Sequence, residues 1–440
     1  MNAAEETSYF PHWSMAKNGV VAPDERLPWP QTIALGLQHV VAMFGATVLA
    51  PLLMGFDPNV AILFSGIGTL IFFLLVGGRV PSYLGSSFAF IAVVIAASAY
   101  GGNGPNGNVG VALSGIIAAG IVYAVIGFVV MGAGYRWIDR LMPPVVTGSV
   151  VAVIGLNLAP IAVKGISASP FDTWLGIATI LLVGLVAVRA RGLAGRLPIL
   201  LGGLGGYLLY ALFTNVLGLG KPVDFAGVAA APWIGWPHFT APVWSGQAMA
   251  LIAPVAVVLV AENLGHIKAV AAMTGRNLDA YLGRAFVGDG LATIVAGAGG
   301  GTGVTTYAEN IGVMAVTKVY STLLFVVAAL FAIVLGFSPK FGALIMTIPG
   351  PVLGGLSIVV FGLITATGGR IWVQNGVDFS RPRNLVTAAV TLTIGAGDLA
   401  LKLGGFTLGG IGTATFGAII LYQLFRDDET QASSERASLP

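Results

Sequence analysis

The sequence predicts an all-α polytopic membrane protein of about fourteen transmembrane segments, on three observations. Charge is sparse, apolar segments of bilayer length recur along the chain, and the second half repeats the first. Of 440 residues, 9% are charged and 56% are hydrophobic. A soluble chain carries about 25% charged residues. The mean hydropathy is +0.90. Such a chain has too little charge to cover a water-facing surface, which excludes a soluble enzyme. A net charge of +3 is too thin for a phosphate footprint, so nucleic acid is excluded as a partner and membrane lipid is the expected surroundings. Disorder is excluded by the apolar content. Cysteine is absent and only four His are present, so neither a thiolate site nor a metal centre is expected. The 63 Gly point to close helix packing and broken helices within the bilayer.

Polar residues 1–30, among them Glu5, Glu6, Lys17, Asp24, Glu25 and Arg26, read as a cytoplasmic tail rather than a signal peptide. The stretch 426–440 reads as a second tail. Between them the breaks delimit apolar segments at 31–54, 59–77, 83–100, 109–133, 144–162, 173–188 and 197–218. Seven more follow at 247–274, 285–298, 304–317, 319–336, 342–366, 384–400 and 405–425. Most approach the ~20 residues of a spanning helix. Segments 3 and 10 are short and open on small or hydroxyl residues, and segment 9 is short as well. With both tails cytoplasmic, seventeen Lys and Arg fall on that side. Only Lys164, Lys221, Lys340 and Lys402 fall on the other, as the positive-inside rule requires of an even number of spans. Trp233, Trp236 and Trp244 in loop 219–246 suit an interfacial belt.

The repeat is read from three colinear blocks. GIGTLIFFLLVGG at 66–78 matches GDGLATIVAGAGG at 288–300. SSFA at 86–89 matches TTYA at 305–308. PVVTGSVVAVIGL at 144–156 matches PVLGGLSIVVFGL at 351–363. Segments 2, 3 and 5 thus pair with 9, 10 and 12, giving a unit of seven. An odd unit inverts in the membrane, the organisation of many secondary transporters.

Three side chains are costly where they lie. Glu262 sits mid-way along segment 8, His266 follows one turn later on the same face, and Glu309 opens the helical part of segment 10. An ionisable group at membrane depth is a functional-site hypothesis, and a carboxyl group there is suited to carrying a proton. The bland alternatives are a structural Glu262–His266 pair and a dipole-favoured charge at a helix start for Glu309. Metal binding by Glu262 and His266 lacks further ligands. Residues 83–87 (YLGSS) and 303–307 (GVTTY) have extended composition, and each precedes a helix too short to span. Paired as short antiparallel strands, they would aim two half-helix N-termini at one pocket. Backbone N–H groups at Phe88 and Ala308 would face a ligand there, between the rings of Phe88 and Tyr307; ordinary packing is the alternative for both rings. Gln38 and His39 align with Glu262 and Asn263 and are read as supporting the site, with Asn310 and Ala46. Asp289 is read as an ion-pair partner of Arg284, and Asp398 as solvated.

At these residues the chain resembles the nucleobase–ascorbate transporter family, also called nucleobase:cation symporter-2. That family's signature stands complete as Glu309-Asn310-Ile311-Gly312-Val313-Met314-Ala315-Val316-Thr317-Lys318, and its first-span Gln-His as Gln38-His39. QHVVAMFGATVLAP, GGRVPSYLGSSFAFI and ENLGHIKAVAAMTGRN resemble the bacterial uracil permease branch, and GVVAPDERLP, LMPPVVTG, LNLAPIAVK and GGFTLGGIGTATFGAI resemble a pyrimidine permease. The resemblance implies a core domain (31–135 and 247–337, spans 1–4 and 8–11) against a gate domain (136–246 and 338–425, spans 5–7 and 12–14). It also implies a homodimer formed through the gate domain in a bacterial inner membrane. Carried over by position, Glu262 and Glu309 bind the pyrimidine edge, His266 pairs with Glu262 in proton coupling, Phe88 and Ala308 give backbone contacts, and Tyr307 gives a ring contact. The implied activity is proton-coupled symport of uracil or a related pyrimidine nucleobase, with no cofactor beyond the co-transported proton. A purine or xanthine symporter of the same family is the alternative. An anion transporter of the same fold would prefer a pocket without two carboxylates.

Overall fold

The computed structural model describes residues 8–17, 19–102, 104–192, 194–403 and 406–425. Glu5, Glu6 and the tail 426–440, with Arg426 and Arg436, lie outside the described residues. Eight described helices are long and apolar enough to cross a membrane, or nine if one bent pair is a single span. Two compact units form: residues 1–134 with 160–360, and residues 135–159 with 361–440.

Each apolar segment holds helix, and local signals set the ends. Trp29–Met54 opens on Pro30 in its first turn, where a missing N–H costs nothing, and closes on Gly55 at φ 70°, a left-handed position that favours glycine. Pro58–Leu75 is capped by Asp57, whose carboxylate accepts from the Asn59 N–H at 2.7 Å. The glycines act as the composition implied. Helices Val109–Ala133 and Leu282–Ala298 meet backbone to backbone. A Cβ on Gly120 would stand 2.8 Å from the Gly290 carbonyl, and one on Gly127 2.6 Å from the Val287 nitrogen. No larger residue fits that seam without parting the helices.

Segment 12 departs from expectation. It is not one helix over 342–366: Pro339–Met346 ends before Pro349, and Gly350–Gln374 begins anew. Two prolines around Gly350 remove N–H donors and reset the helix start. Pro339–Met346 instead forms the bent pair, at 81° to Leu323–Gly336.

In the first unit the expected strands are present. Leu84–Ser86 pairs antiparallel with Val304–Thr306 in the register Leu84↔Thr306, Gly85↔Thr305, Ser86↔Val304. Flanking bonds run from the Tyr307 N–H to the Tyr83 carbonyl and from the Ser87 N–H to the Gly303 carbonyl, both 2.9 Å. Every residue of both strands is buried. Two short helical pieces follow: a 3-10 turn Phe88–Phe90 running into Ile91–Ser98, and the ten-residue helix Ala308–Thr317. At 1.5 Å per residue neither crosses a ~30 Å hydrocarbon core.

Residues 8–17 and 19–27, read as tail, are docked within the first unit. Val21 bridges Val319, Trp13 Nε1 donates to Thr322 Oγ1 at 2.9 Å, and Arg276 bonds Asp24 at 2.5 Å. Within the second unit, Trp372 Nε1 donates to the Val145 carbonyl at 3.2 Å, and Arg383 Nη2 donates to the Tyr422 carbonyl at 2.7 Å. There Asp398, read as solvated, is exposed yet accepts from Asn157 Nδ2 at 3.0 Å.

Candidate substrate site

Helix Val255–Thr274 carries Glu262 and His266, and it packs against helix Ala308–Thr317, strand Val304–Thr306 and turn Phe88–Phe90. Glu262, His266, Phe88, Ala308 and Glu309 are therefore brought to one region. Glu262 and Glu309 lie within each other's electrostatic reach, and both reach Tyr307. Both carboxyl groups are half-buried and Ala308 is exposed. Gly265 and Gly312, each three residues on from one of the carboxylates, are exposed and have no atom within 4 Å of where a side chain would stand.

The helix Ala308–Thr317 starts without a side-chain cap, since Tyr307 supplies none. Among the described residues the Ala308 N–H has no partner, as the first N–H groups of any helix lack one. On the other strand, Ser87 Oγ accepts from the Ala89 N–H at 3.3 Å, and half-buried Phe88 follows it. The site thus offers two carboxyl groups and a backbone donor beside two uncrowded glycines. A planar ring with alternating N–H and C=O groups matches that set.

Tyr307 is held differently from a stacking ring. It is 3% exposed, its hydroxyl donates to the Ser86 carbonyl at 3.0 Å and accepts from Thr47 Oγ1 at 3.0 Å, and its ring lies over Gly85. It braces the strand pair from beneath. His266 Nδ1 lies 2.9 Å from Thr306 Oγ1, and no bond between His266 and Glu262 forms among the described residues. His39 is buried and takes Asn310 as partner, whose Nδ2 bonds both His39 Nδ1 (3.1 Å) and the His39 carbonyl (3.0 Å). These two expected supporting residues tie the first span to the half-helix. Ala46 is buried on the same span, and Gln38 is half-buried without a side-chain partner among the described residues.

Asp289 corrects an expectation. It makes no ion pair with Arg284, whose guanidinium sits over the Tyr9 ring. Five residues apart on one helix, the two side chains point about 140° apart. Asp289 is fully buried, and its Oδ2 accepts from Asn263 Nδ2 at 2.7 Å and from the Tyr123 hydroxyl at 3.3 Å. Asn263 Oδ1 in turn accepts from Thr306 Oγ1 at 3.4 Å, so the chain runs on to His266. Tyr123 and Thr47 carried no sequence signal, because their partners are 140 and 260 residues distant. Among the described residues no group of three His, Asp or Glu is placed to hold a metal. A separate apolar cavity of about 200 Å³, lined by Phe44, Leu49, Ile199, Tyr207 and Leu353 among others, contains none of the site residues.

Buried strands, half-helices and paired carboxyl groups in an apolar helical chain define a multi-pass membrane transport protein. The chain belongs to the Permease family: the family's sequence model matches residues 30–404. It is thereby a permease and not an enzyme. It is 68% identical over 419 residues to the Escherichia coli (strain K12) protein named "Putative pyrimidine permease RutG", covering 94% of this chain and 95% of the relative. A uracil permease of Paenibacillus larvae subsp. larvae is 42% identical over 425 residues, covering 93% and 97%. Among solved structures, the transmembrane domain of the cyanobacterial bicarbonate transporter BicA superposes with a TM-score of 0.60 at 17% identity. The match covers 92% of this chain and all of that one, a likeness of fold.

Proposed function

We propose that the protein carries uracil or a closely related pyrimidine nucleobase into a bacterial cell, across the inner membrane, in symport with a proton. The observation that carries this reading is the convergence of Glu262 and Glu309 beside the Ala308 N–H and two uncrowded glycines. The relatives named as pyrimidine and uracil permeases support the substrate class. Glu262 and Glu309 would bond the N–H edge of the ring, the backbone at Ala308 and Phe88 its carbonyls, and Tyr307 would hold the strands around it. A carboxyl group must be neutral for the loaded site to cross a low-dielectric barrier, so Glu262 is assigned the proton, with His266 beside it.

The wider frame is part of the proposal. Fourteen spans form two inverted repeats of seven, with both termini cytoplasmic and a core domain (spans 1–4 and 8–11) that moves against a gate domain (spans 5–7 and 12–14) in alternating access. The gate domains pair in a homodimer. Support comes from the matched strands and half-helices of segments 3 and 10. The test is uptake of radiolabelled uracil by cells expressing the protein, with and without a proton uncoupler. Uncoupler-sensitive accumulation that unlabelled uracil displaces and xanthine does not is the expected result. Displacement by xanthine in preference to uracil would overturn the substrate, and accumulation indifferent to the uncoupler would overturn the coupling.

A further inference from the structure

The strand pair raises a problem of hydrogen bonding. In its register, residues 83, 85 and 87 exchange bonds with 307, 305 and 303, so the N–H and C=O groups of Leu84, Ser86, Val304 and Thr306 point away from the partner strand. Both edges are buried, and among the described residues no third strand lies against them. Side chains take that place. The Val304 N–H donates to Thr293 Oγ1 at 3.2 Å, and the same hydroxyl donates back to the Val304 carbonyl at 3.1 Å. On the opposite edge the Leu84 N–H donates to Thr69 Oγ1 at 2.9 Å. Thr69 has one hydroxyl proton and two acceptors, the Ser65 carbonyl at 2.8 Å and the Leu84 carbonyl at 3.4 Å, so it holds Leu84 chiefly as an acceptor. Both threonines are fully buried, each on the helix preceding its strand.

We infer that Thr293, with Thr69 as its weaker counterpart, is a positioning residue of the substrate site. Its hydroxyl acts as a one-residue third strand. It fixes the depth of Val304, and three residues on that fixes Tyr307, the Ala308 N–H and Glu309. The inference rests on the proposed pyrimidine transport for its functional arm only. The chemistry requires a hydroxyl that both donates and accepts, so serine substitutes and valine, of similar shape, does not.

The experiment compares Thr293→Ser, Thr293→Val and Thr293→Ala as purified full-length protein, by amide hydrogen exchange at Val304 and by uracil KM and Vmax in proteoliposomes. Valine and alanine are expected to speed exchange at Val304 and to raise KM about 30-fold, the worth of two lost hydrogen bonds, with Vmax little changed. Serine is expected to match wild type in both. Exchange at Val304 unchanged in the valine and alanine variants would overturn the inference, as would serine losing as much as valine. So would failure of both hydroxyl-free variants to give monodisperse protein, since it would assign the residue to folding. Absence of uracil transport by the wild type refutes the substrate reading alone, and the exchange measurement still decides this one.

Discussion

Replacing Gly85 by alanine tests whether the strand pair sets the site. Gly85 is the middle residue of its strand, directly over the Tyr307 ring. A methyl group there would stand 2.5 Å from Tyr307 Cε2 and 2.6 Å from its oxygen, closer than Cβ atoms approach anything. The backbone is held by the ladder on one edge and by Thr69 on the other, so the ring must give way. Moving it breaks the bond to the Ser86 carbonyl and strands the buried Thr47 hydroxyl. Two bonds at about 1 kcal/mol each, added to overpacking of about 1–3 kcal/mol, predict a destabilisation of about 3–5 kcal/mol. If the two lost bonds displace Tyr307 and the helix start that follows it, binding weakens by about 2 kcal/mol, a KM raised about 30-fold. The assay is a thermal melt of the purified protein together with the uracil KM. A double-mutant cycle with Tyr307→Ala adds specificity, since Gly85→Ala should cost far less once the ring is gone. A Gly85→Ala protein with wild-type melting temperature and a KM within about twofold of wild type would refute the reasoning, because two lost bonds imply more.

Three further outcomes are expected. Glu262→Gln should fold and yet lose pH-driven accumulation of uracil, read as uptake under an imposed proton gradient; accumulation like that of wild type would remove Glu262 from coupling. Asp289→Leu leaves one Asn263 Nδ2 proton without its acceptor, while the Tyr123 hydroxyl keeps the Leu259 carbonyl, and should cost about 1–3 kcal/mol in chemical or thermal unfolding; Asp289→Asn, which keeps an acceptor, should cost less. Asp24→Ala removes a half-exposed ion pair to Arg276 and should cost under about 1 kcal/mol, with no change in uracil KM.

The parts legible in the sequence were those with a strong local physical signature. YLGSS and GVTTY announced buried extended backbone, and they pair in the structure. The glycine content announced close helix contact, and Gly120, Gly127 and Gly290 provide it. Glu262 and Glu309 stood out because charge at that depth is expensive. What escaped depended on distant partners. Asp289 looked like a mate for Arg284, but helical geometry separates them and a hydrogen-bonded pair from two other helices takes its oxygen. Tyr307 read as a ring against the ligand, with ordinary packing as the alternative, and its bonds to Ser86 and Thr47 place it under the strands. The docking of residues 8–17 and 19–27 rests on contacts such as Trp13 with Thr322, 309 residues apart, which no local pattern encodes. The break at Pro349 was visible in the residues themselves, yet the apolar run across it read as continuous.

The central claim is that two carboxyl groups at a crossed strand pair couple a pyrimidine to a proton. It is tested most directly by reconstituting the purified protein into liposomes, imposing an inward-directed proton gradient and following radiolabelled uracil. The account predicts transient accumulation above equilibrium that collapses with an uncoupler and is absent from Glu262→Gln. Uracil that merely equilibrates in the wild type, gradient or no gradient, would contradict it.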